Sequence, residues 1–555
     1  MMSVKSQCGQ CGVGCGVRAF VGDDRHVRIE GDPLHPANSG LLCPRANRLG
    51  AMASLDGRLL HPLVEGKRQG WDRTIAQIAR RLSTVLARHG PGSVALHVGG
   101  ALLTEDYYVA NKLFKGFLGS AHIHAPSRGG IDALQAAAFG EDVMPATYED
   151  IDRADMILLT GADIAQAYPI LMDRVVAARE DHGAQVILIA ETGQGLEIEA
   201  DMRLTVAPGG AAALMAGLLL HCHDSGVIDP DDLARRVMVP DGFWDTLRSG
   251  RDIWSVGRAS GLSPITTRAF YEAVAASSRT VTLFGEDMTL AATVQNFHLA
   301  TGRIGRPGAA PFAMTATANG MGAREVGCTP KALVVHQEFG TVARASTARF
   351  WGARLLADGP GLDGDALLQA MHDGSVKALW SIGSDPVSAP WLRAASKAVP
   401  LIIRATDSVA EAGDGWTFLL PSAVWVEKDG TLTGMDRLIS RQRRLFSLPG
   451  EARPDWWMVT KVAQAMGWGD AFHYERAADI YREHVRLTAY GNDGARLLNL
   501  RRHAPISNPA YDELTPWRWG EVPFDGGYFP TEDGRARLLS IPPSARGSNT
   551  LKMRQ

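Results

Sequence analysis

Eight residues near the start restrict this chain more than any other stretch: C-G-Q-C-G-V-G-C at 8–15, followed by L-L-C-P at 41–44. Cys8, Cys11, Cys15 and Cys43 are four of the six cysteines in 555 residues. Three thiols share a tight, glycine-padded loop, and the fourth closes the site from about one hairpin away. Glycines at 9, 12, 14 and 16 let the backbone curl around a bulky inorganic group, because glycine tolerates positive φ and close approach. Four convergent thiolates hold a [4Fe–4S] cluster or a structural zinc. A disulfide framework fits least, since a secreted disulfide protein is much shorter and spreads its cysteines.

The length exceeds what one core supports, so several domains are expected. Apolar content of 45% and charged content of 21% are ordinary for a globular protein. A formal net charge of −3 gives no basic field, so neither nucleic acid nor an anionic membrane is expected as a partner. Residues 1–7 show no twin arginine and no apolar run, and no apolar stretch reaches membrane-spanning length. The expectation is a cytoplasmic protein without a membrane span.

Residues 17–31 alternate and turn, which predicts a β-hairpin through Gly22-Asp23-Asp24, with a second turn at Gly31-Asp32-Pro33. From Trp71, apolar residues at 75, 78, 79, 82, 85 and 86 predict a helix. A short buried strand is expected at 93–100 and a helix at 105–118, its aromatics packing the core. Short apolar runs then recur at Met156–Thr160, 185–190, 281–284, Ala378–Ile382 and 401–404, most of them followed at once by small or polar residues. Continuous apolar strands alternating with helices indicate parallel, doubly wound sheets. Ligands of such sheets sit at the carboxyl ends of the strands. Residues 299–327 are glycine-rich and read as a long ordered loop. Residues 421–444 are polar; their four arginines after Met435 read either as a clamp for phosphate or guanine or as a solvated face.

The spacing Cys8-x2-Cys11-x3-Cys15-x27-Cys43-Pro44 resembles the N-terminal cluster motif of molybdopterin oxidoreductases. The likeness continues through G-D-P-L-H-P-A-N-S-G-L-L-C-P (31–44), E-D-Y-Y-V-A-N-K-L-F-K-G-F-L-G-S (105–120) and Y-E-D-I-D-R-A-D-M-I-L-L-T-G (148–161). H-L-A-T-G-R-I-G-R-P-G (298–308), R-E-V-G (324–327), E-K-D-G-T-L-T (427–433) and G-E-A-R-P-D-W-W (450–457) fit as well. Together these are most similar to the assimilatory, cytoplasmic nitrate reductase branch.

The resemblance implies an α/β fold: a small β-rich iron–sulfur lobe at 1–56, then two doubly wound domains. One would comprise 57–140 and 330–470; the other, 141–329, would be inserted into it. Residues 471–555 would be an extension, a remnant of the family's C-terminal cofactor-closing domain, which is expected to be largely absent. The implied cofactors are a [4Fe–4S] cluster on Cys8, Cys11, Cys15 and Cys43 and molybdenum held by two molybdopterin guanine dinucleotides. Arg45 matches the basic residue between cluster and pterin. Dinucleotide contacts would fall on Gly161, Asp163, Gly383, Ser384, Asp385 and Pro386, and on Glu427, Asp429 and Thr431. Arg303 and Arg324 would lie in the central cofactor loop.

The sequence also departs from that family. The cysteine that ligates molybdenum in the nitrate reductase branch is matched by Gly130, which has no donor atom. Ser127 and Asp132 flank the gap, and Cys222 and Cys328 are the spare thiols. The family's I-D-P-R-R-T phosphate motif is I-A-E-T-G-Q (189–194), with Glu191 adding like charge where a pyrophosphate would sit. Two readings follow. One is a nitrate reductase-like enzyme that passes electrons from the cluster to a molybdenum pterin for oxyanion reduction. The other is a non-catalytic iron–sulfur scaffold or electron-transfer subunit that has lost the molybdenum site. The expected partners are an electron-donor protein or subunit and a chain completing the cofactor cavity.

Overall fold

The two segments flanking the cysteine loop pair with each other. In the computed structural model, Met2–Gln7 and Gly16–Val21 run antiparallel, with Met2 opposite Val21 and Gln7 opposite Gly16. Val27–Gly31 adds the third strand, and the expected turn is formed by Gly22 and the 3-10 turn Asp23–Arg25. The first strand has no apolar alternation strong enough to be read from sequence. The structure describes residues 2–125, 130–161, 164–193, 198–315, 317–383, 385 and 388–541.

The chain divides into two units. Met1–Ser127 with Ala316–Gly520 form one, and Arg128–Thr315 with Glu521–Gln555 the other. The segment expected as a single extension, 471–555, is thus divided at Gly520.

The first unit holds a seven-stranded sheet. Its parallel part runs Phe418–Pro421, Leu401–Thr406, Ala378–Ile382, Val94–Val98, Ile123–His124. The pairs Leu63–Val64 and Lys67–Arg68 close one edge antiparallel. Helix Trp71–His89 buries Ile75, Ile78, Ala79 and Leu82, one face at helical spacing, and stops at Gly90 with φ 78°. Ala95, Leu379 and Ile402 pack with Leu367, Met371 and Leu392 of the neighbouring helices to form one core cluster. The helix expected at 105–118 is an α-helix, Thr104–Asn111, continued by a π-helical stretch, Lys112–Leu118.

The second unit is built on a five-stranded, all-parallel sheet ordered Met202–Val206, Gln185–Glu191, Met156–Thr160, Thr280–Phe284, Ala310–Ala313. In both sheets the strand order reverses at one place. In the first unit this lies between Val94–Val98 and Ala378–Ile382; in the second, between Met156–Thr160 and Thr280–Phe284. Such reversals open a crevice at the carboxyl ends of the strands.

Two sequence expectations need correction. Residues 299–327 are not one long loop, for they contain strand Ala310–Ala313 and helix Gly320–Glu325. Residues 421–444 are not one solvated face, since Arg437 and Arg441 are buried while Arg443 is half-buried and Arg444 exposed. The segment forms a buried hairpin, Gly430–Thr433 against Leu438–Gln442, extended by Trp517–Arg518. Arg437 donates to the Trp519 and Gly520 carbonyls, and Arg441 to those of Tyr511 and Gly430. Among the described residues, no helix is long and apolar enough to cross a membrane.

Candidate cluster and cofactor site

Cys8, Cys11 and Cys15 are buried and Cys43 is half-buried. The Cys8 N–H donates to the Cys15 carbonyl at 2.8 Å, which closes the loop on itself. The Gln10 N–H donates to the Cys8 sulfur, and the Val13 N–H to that of Cys11. Of the four loop glycines only Gly14 has positive φ, at 67°. Gly16 is needed for another reason: a Cβ there would lie 2.3 Å from His35. Cys43 precedes the 3-10 turn Pro44–Ala46, which leads into helix Asn47–Ala51. This turn carries Arg45 toward the thiols. Burial opposes the Arg45 charge, but Cys11 and a hydrogen bond to the Cys43 sulfur outweigh it and raise its pKa.

Burial, then the neighbouring Cys11, pushes the Cys8 thiol up to about 12. Burial also raises Cys11, and it raises Cys15 well above the usual thiol range with help from Cys8, Cys11 and Cys43. The four sulfurs therefore sense one another. Yet among the described residues no three His, Cys, Asp or Glu side chains lie close enough to hold a single metal ion. Tetrahedral zinc needs four sulfurs at about 2.3 Å from one centre. A cubane binds each thiolate through a different iron, so its ligands stand further apart. Buried thiols with N–H and guanidinium donors aimed at them suit a group bound through anionic sulfur.

The buried hairpin lies against this loop. The Met435 N–H donates to the Gly12 carbonyl at 2.8 Å, and the Trp425 indole donates to the Gln7 carbonyl at 2.8 Å. A Cβ on Gly434 would meet the Val13 carbonyl at 3.2 Å. The residues expected here as dinucleotide ligands are engaged within the protein. Glu427 accepts from Arg25 at 3.0 Å and from both terminal nitrogens of Arg58 at 3.1 and 2.9 Å. Thr431 gives its N–H and its hydroxyl to Glu105. Asp429 accepts from Arg441 at 2.6 Å. Through Met435 and Gly434 the hairpin fixes the cysteine loop.

The two crevices hold the other candidates. In the first unit the Gly99 N–H donates to the Ile382 carbonyl at 2.8 Å, and Gly383 follows with φ 65°. Asp385 accepts from the Gly100 and Ser388 N–H groups, joining the strand ends on both sides of the reversal. In the second unit Gly161 has φ 108°, and a Cβ there would lie 3.0 Å from the Gly285 nitrogen. Asp163, Ser384 and Pro386 lie outside the described residues, as does Ser127. Arg303 is buried; it donates to the Val274 and Ser277 carbonyls and packs its cation on Phe297. It braces the second unit. Arg324 sits half-buried in helix Gly320–Glu325, with Nη2 3.5 Å from the Met321 sulfur.

Gly130 precedes helix Ile131–Phe139 with φ 75°. A Cβ there would lie 3.3 Å from the Cε and 3.6 Å from the Sδ of Met288, the tip of a partly exposed side chain. Asp132 lies in the first turn of that helix. Cys222 and Cys328 are fully buried, and burial pushes their thiols up to about 11 and about 12. Both are protonated packing groups near neutrality. Glu191 accepts the Gly209 N–H at 2.8 Å, just before helix Gly210–Asp224. The protein's own carboxylate thus sits where that helix begins.

Two buried ionisable groups escaped the sequence reading. Glu105 accepts from the Thr431 N–H at 2.8 Å, the Thr431 hydroxyl at 3.0 Å and the Tyr511 hydroxyl at 2.7 Å. Burial still pushes its pKa up to about 7. Lys115 is wrapped by backbone carbonyls, Thr329 at 2.7 Å and Ala332 at 2.6 Å among them, and burial lowers its pKa to about 7. Glu105 has a signal in the sequence, a charge with apolar or aromatic residues at 101, 102, 108 and 109, whereas Lys115 has Asn111 and Lys112 on its own face and carries none.

The comparisons agree with this arrangement. Residues 58–465 match the molybdopterin oxidoreductase family and residues 1–53 its Fe4S4 domain. A nitrate reductase of Klebsiella oxytoca is 37% identical over 99% of this chain and 65% of its own length. A nitrate reductase of Shewanella frigidimarina is 34% identical over 99% of this chain and 63% of its own. The chain spans a little under two thirds of both. The solved acetylene hydratase from Pelobacter acetylenicus superposes with a TM-score of 0.73 at 16% identity, covering 96% of this chain and 77% of that one, which shows a shared fold. The chain belongs to the molybdopterin oxidoreductase family, with a [4Fe–4S] domain at its N-terminus and molybdopterin as the family's cofactor.

Proposed function

We propose that this chain is a nitrate reductase-like molybdenum oxidoreductase that takes electrons at its [4Fe–4S] site and delivers them to a molybdenum pterin for oxyanion reduction. The observation that carries the reading is the cysteine loop: three buried thiols and Cys43, with N–H donors and Arg45 directed at the sulfurs. In this reading Cys8, Cys11, Cys15 and Cys43 hold the cluster, while Gly161, Gly383 and Asp385 line the crevices that receive the dinucleotides. When bound, the cluster supplies single electrons and the molybdenum supplies oxygen-atom transfer. The chain's own part is positional. The Gln10 and Val13 N–H groups stabilise charge on the cluster sulfurs. Arg45 holds a positive charge beside Cys43, on the pterin side in the family pattern. The two crevices present backbone without Cβ atoms to bulky phosphorylated groups.

A second reading, a protein that keeps the cluster but not the metal, is favoured by one observation. Gly130 offers no side-chain ligand at the position that the nitrate reductase branch fills with cysteine. Metal analysis of protein purified without oxygen separates the two. Molybdenum or tungsten near one per chain, with guanine nucleotide released on denaturation, supports the enzyme. About four irons per chain with no molybdenum rejects it in favour of the second reading. Viologen-linked nitrate reduction then tests the substrate.

A further inference from the structure

We propose that the pocket between His223 and Arg535 in the second unit binds a small carboxylate with an apolar body. The pocket has a volume of about 340 Å³, within the range of small-molecule sites, about 300–1,000 Å³. Ile228, Leu233, Val237 and Met238 form much of its wall, and its lining includes no aspartate or glutamate. An apolar space with a few placed polar groups is the usual form of such a site.

The pocket does not belong to the crevice at the strand ends. Helix Gly210–Asp224 begins beside Gly209, whose N–H is held by Glu191 at the carboxyl end of strand Gln185–Glu191. His223 stands in the last turn of that helix. At 1.5 Å per residue, about 20 Å of helix separate the two ends. The assignment is therefore independent of the cluster and of any group in the crevice.

Two polar groups at the pocket have bonding capacity to spare. The His223 Nδ1 lies 2.9 Å from Asp224 Oδ1. An ionised carboxylate only accepts, so Nδ1 carries the proton. The ring stacks on Trp244 with 4.0 Å between centroids, which fixes its plane. Among the described residues nothing is bonded to its Nε2. The Arg535 Nε and Nη2 stand 3.0 and 2.9 Å from Asp533 Oδ2, and Nη1 donates to the Ala234 carbonyl at 3.3 Å. A guanidinium has five N–H donors, so some of them are left for a ligand. Asp533 also pairs with Arg537, so one carboxylate faces two guanidiniums and a positive charge is left over.

These features select the occupant. A carboxylate matches the planar guanidinium fork, and an apolar body covers Leu233 and Val237. A free inorganic anion would leave those walls wet, and a neutral hydrocarbon would leave the Arg535 donors unused. The walls also come from two distant pieces of chain, residues 223–244 and Arg535, which meet where Val237–Met238 pairs with Ala536–Arg537. A ligand that spans this seam binds only the folded unit and so stabilises it.

The test uses the full chain, purified without oxygen, with 3-phenylpropionate and its uncharged analogue 3-phenylpropan-1-ol as probes. Binding is measured by isothermal titration and unfolding by scanning calorimetry. The acid should bind about tenfold more tightly than the alcohol and raise the unfolding temperature. Arg535→Gln should weaken the acid by about tenfold and leave the alcohol unchanged, which also shows that the variant is folded. Ala234→Trp, at the exposed mouth of the pocket, should weaken both probes. Arg349→Gln, on a helix of the first unit, should change nothing. Absence of acid binding at millimolar concentration, equal affinity for acid and alcohol, or acid binding that survives either pocket substitution unchanged overturns the proposal. So does a second copy or another part of the chain found filling the pocket.

Discussion

At the scale of single residues, the four cysteines differ in setting, and the difference makes a prediction. Cys8→Ser removes a buried thiol that receives the Gln10 N–H, so iron and acid-labile sulfide per chain should fall to a small fraction. Cys222→Ser should leave both values unchanged, because that thiol lies buried in helix Gly210–Asp224. Glu105 makes a second prediction, in pH. Its ordinary value is 4.5 and its value in the fold is about 7. Between these the unfolded chain has lost the proton and the folded chain keeps it, so stability falls as pH rises through that window. The loss is on the order of 3 kcal/mol and is complete above about pH 7. Urea unfolding at pH 5, 6, 7 and 8 should show this slope, and Glu105→Gln should flatten it. An equal slope in the variant would assign the dependence to other groups.

At the scale of elements, the buried hairpin is the part that ties the cysteine loop down. Its contacts with that loop are the Met435 bond to Gly12 and the close approach at Gly434; the Trp425 bond to Gln7 lies just before it in sequence. Trp425→Phe removes one buried donor and leaves the Gln7 carbonyl unpaired, at a cost of about 1–3 kcal/mol. Iron release to a strong chelator should quicken in that variant, while helix content by circular dichroism stays the same. The hairpin also shows where sequence reading ends. The central strands, such as Met156–Thr160 and Ala378–Ile382, were legible because strands buried on both faces are continuous apolar runs. Met202–Val206 was not, because Arg203 and Thr205 leave it no continuous apolar run and five residues are too few for their alternation to stand out. Arg437 and Arg441 were misread because their partners are backbone carbonyls some seventy or more residues further along the chain, which no local pattern reveals. The partners of Glu427 were hidden for the same reason: Arg25 and Arg58 reach it from the other end of the sequence. The cysteines and the glycines of the strand reversals were legible, since their chemistry and spacing are local.

At the scale of the whole molecule, each unit is completed by a distant piece of chain. In the second unit Val237–Met238 pairs in parallel with Ala536–Arg537, and Asn296 exchanges two hydrogen bonds with the backbone of Leu539. Phe139 lies in an aromatic cluster with Phe524 and Phe529. A chain ending at Gly520 would uncover that cluster. It should bind more of a hydrophobic dye and unfold in two steps, the lower one belonging to the second unit. In the first unit Val94–Val98 gains its second neighbour, beyond Ile123–His124, only when Ala378–Ile382 exists. The consequence is one of timing. During synthesis the ribosome must deliver nearly all of the second unit's sequence before the first sheet can pair across its reversal. Until then one edge of Val94–Val98 presents unpaired amides, a hazard for association with other nascent chains.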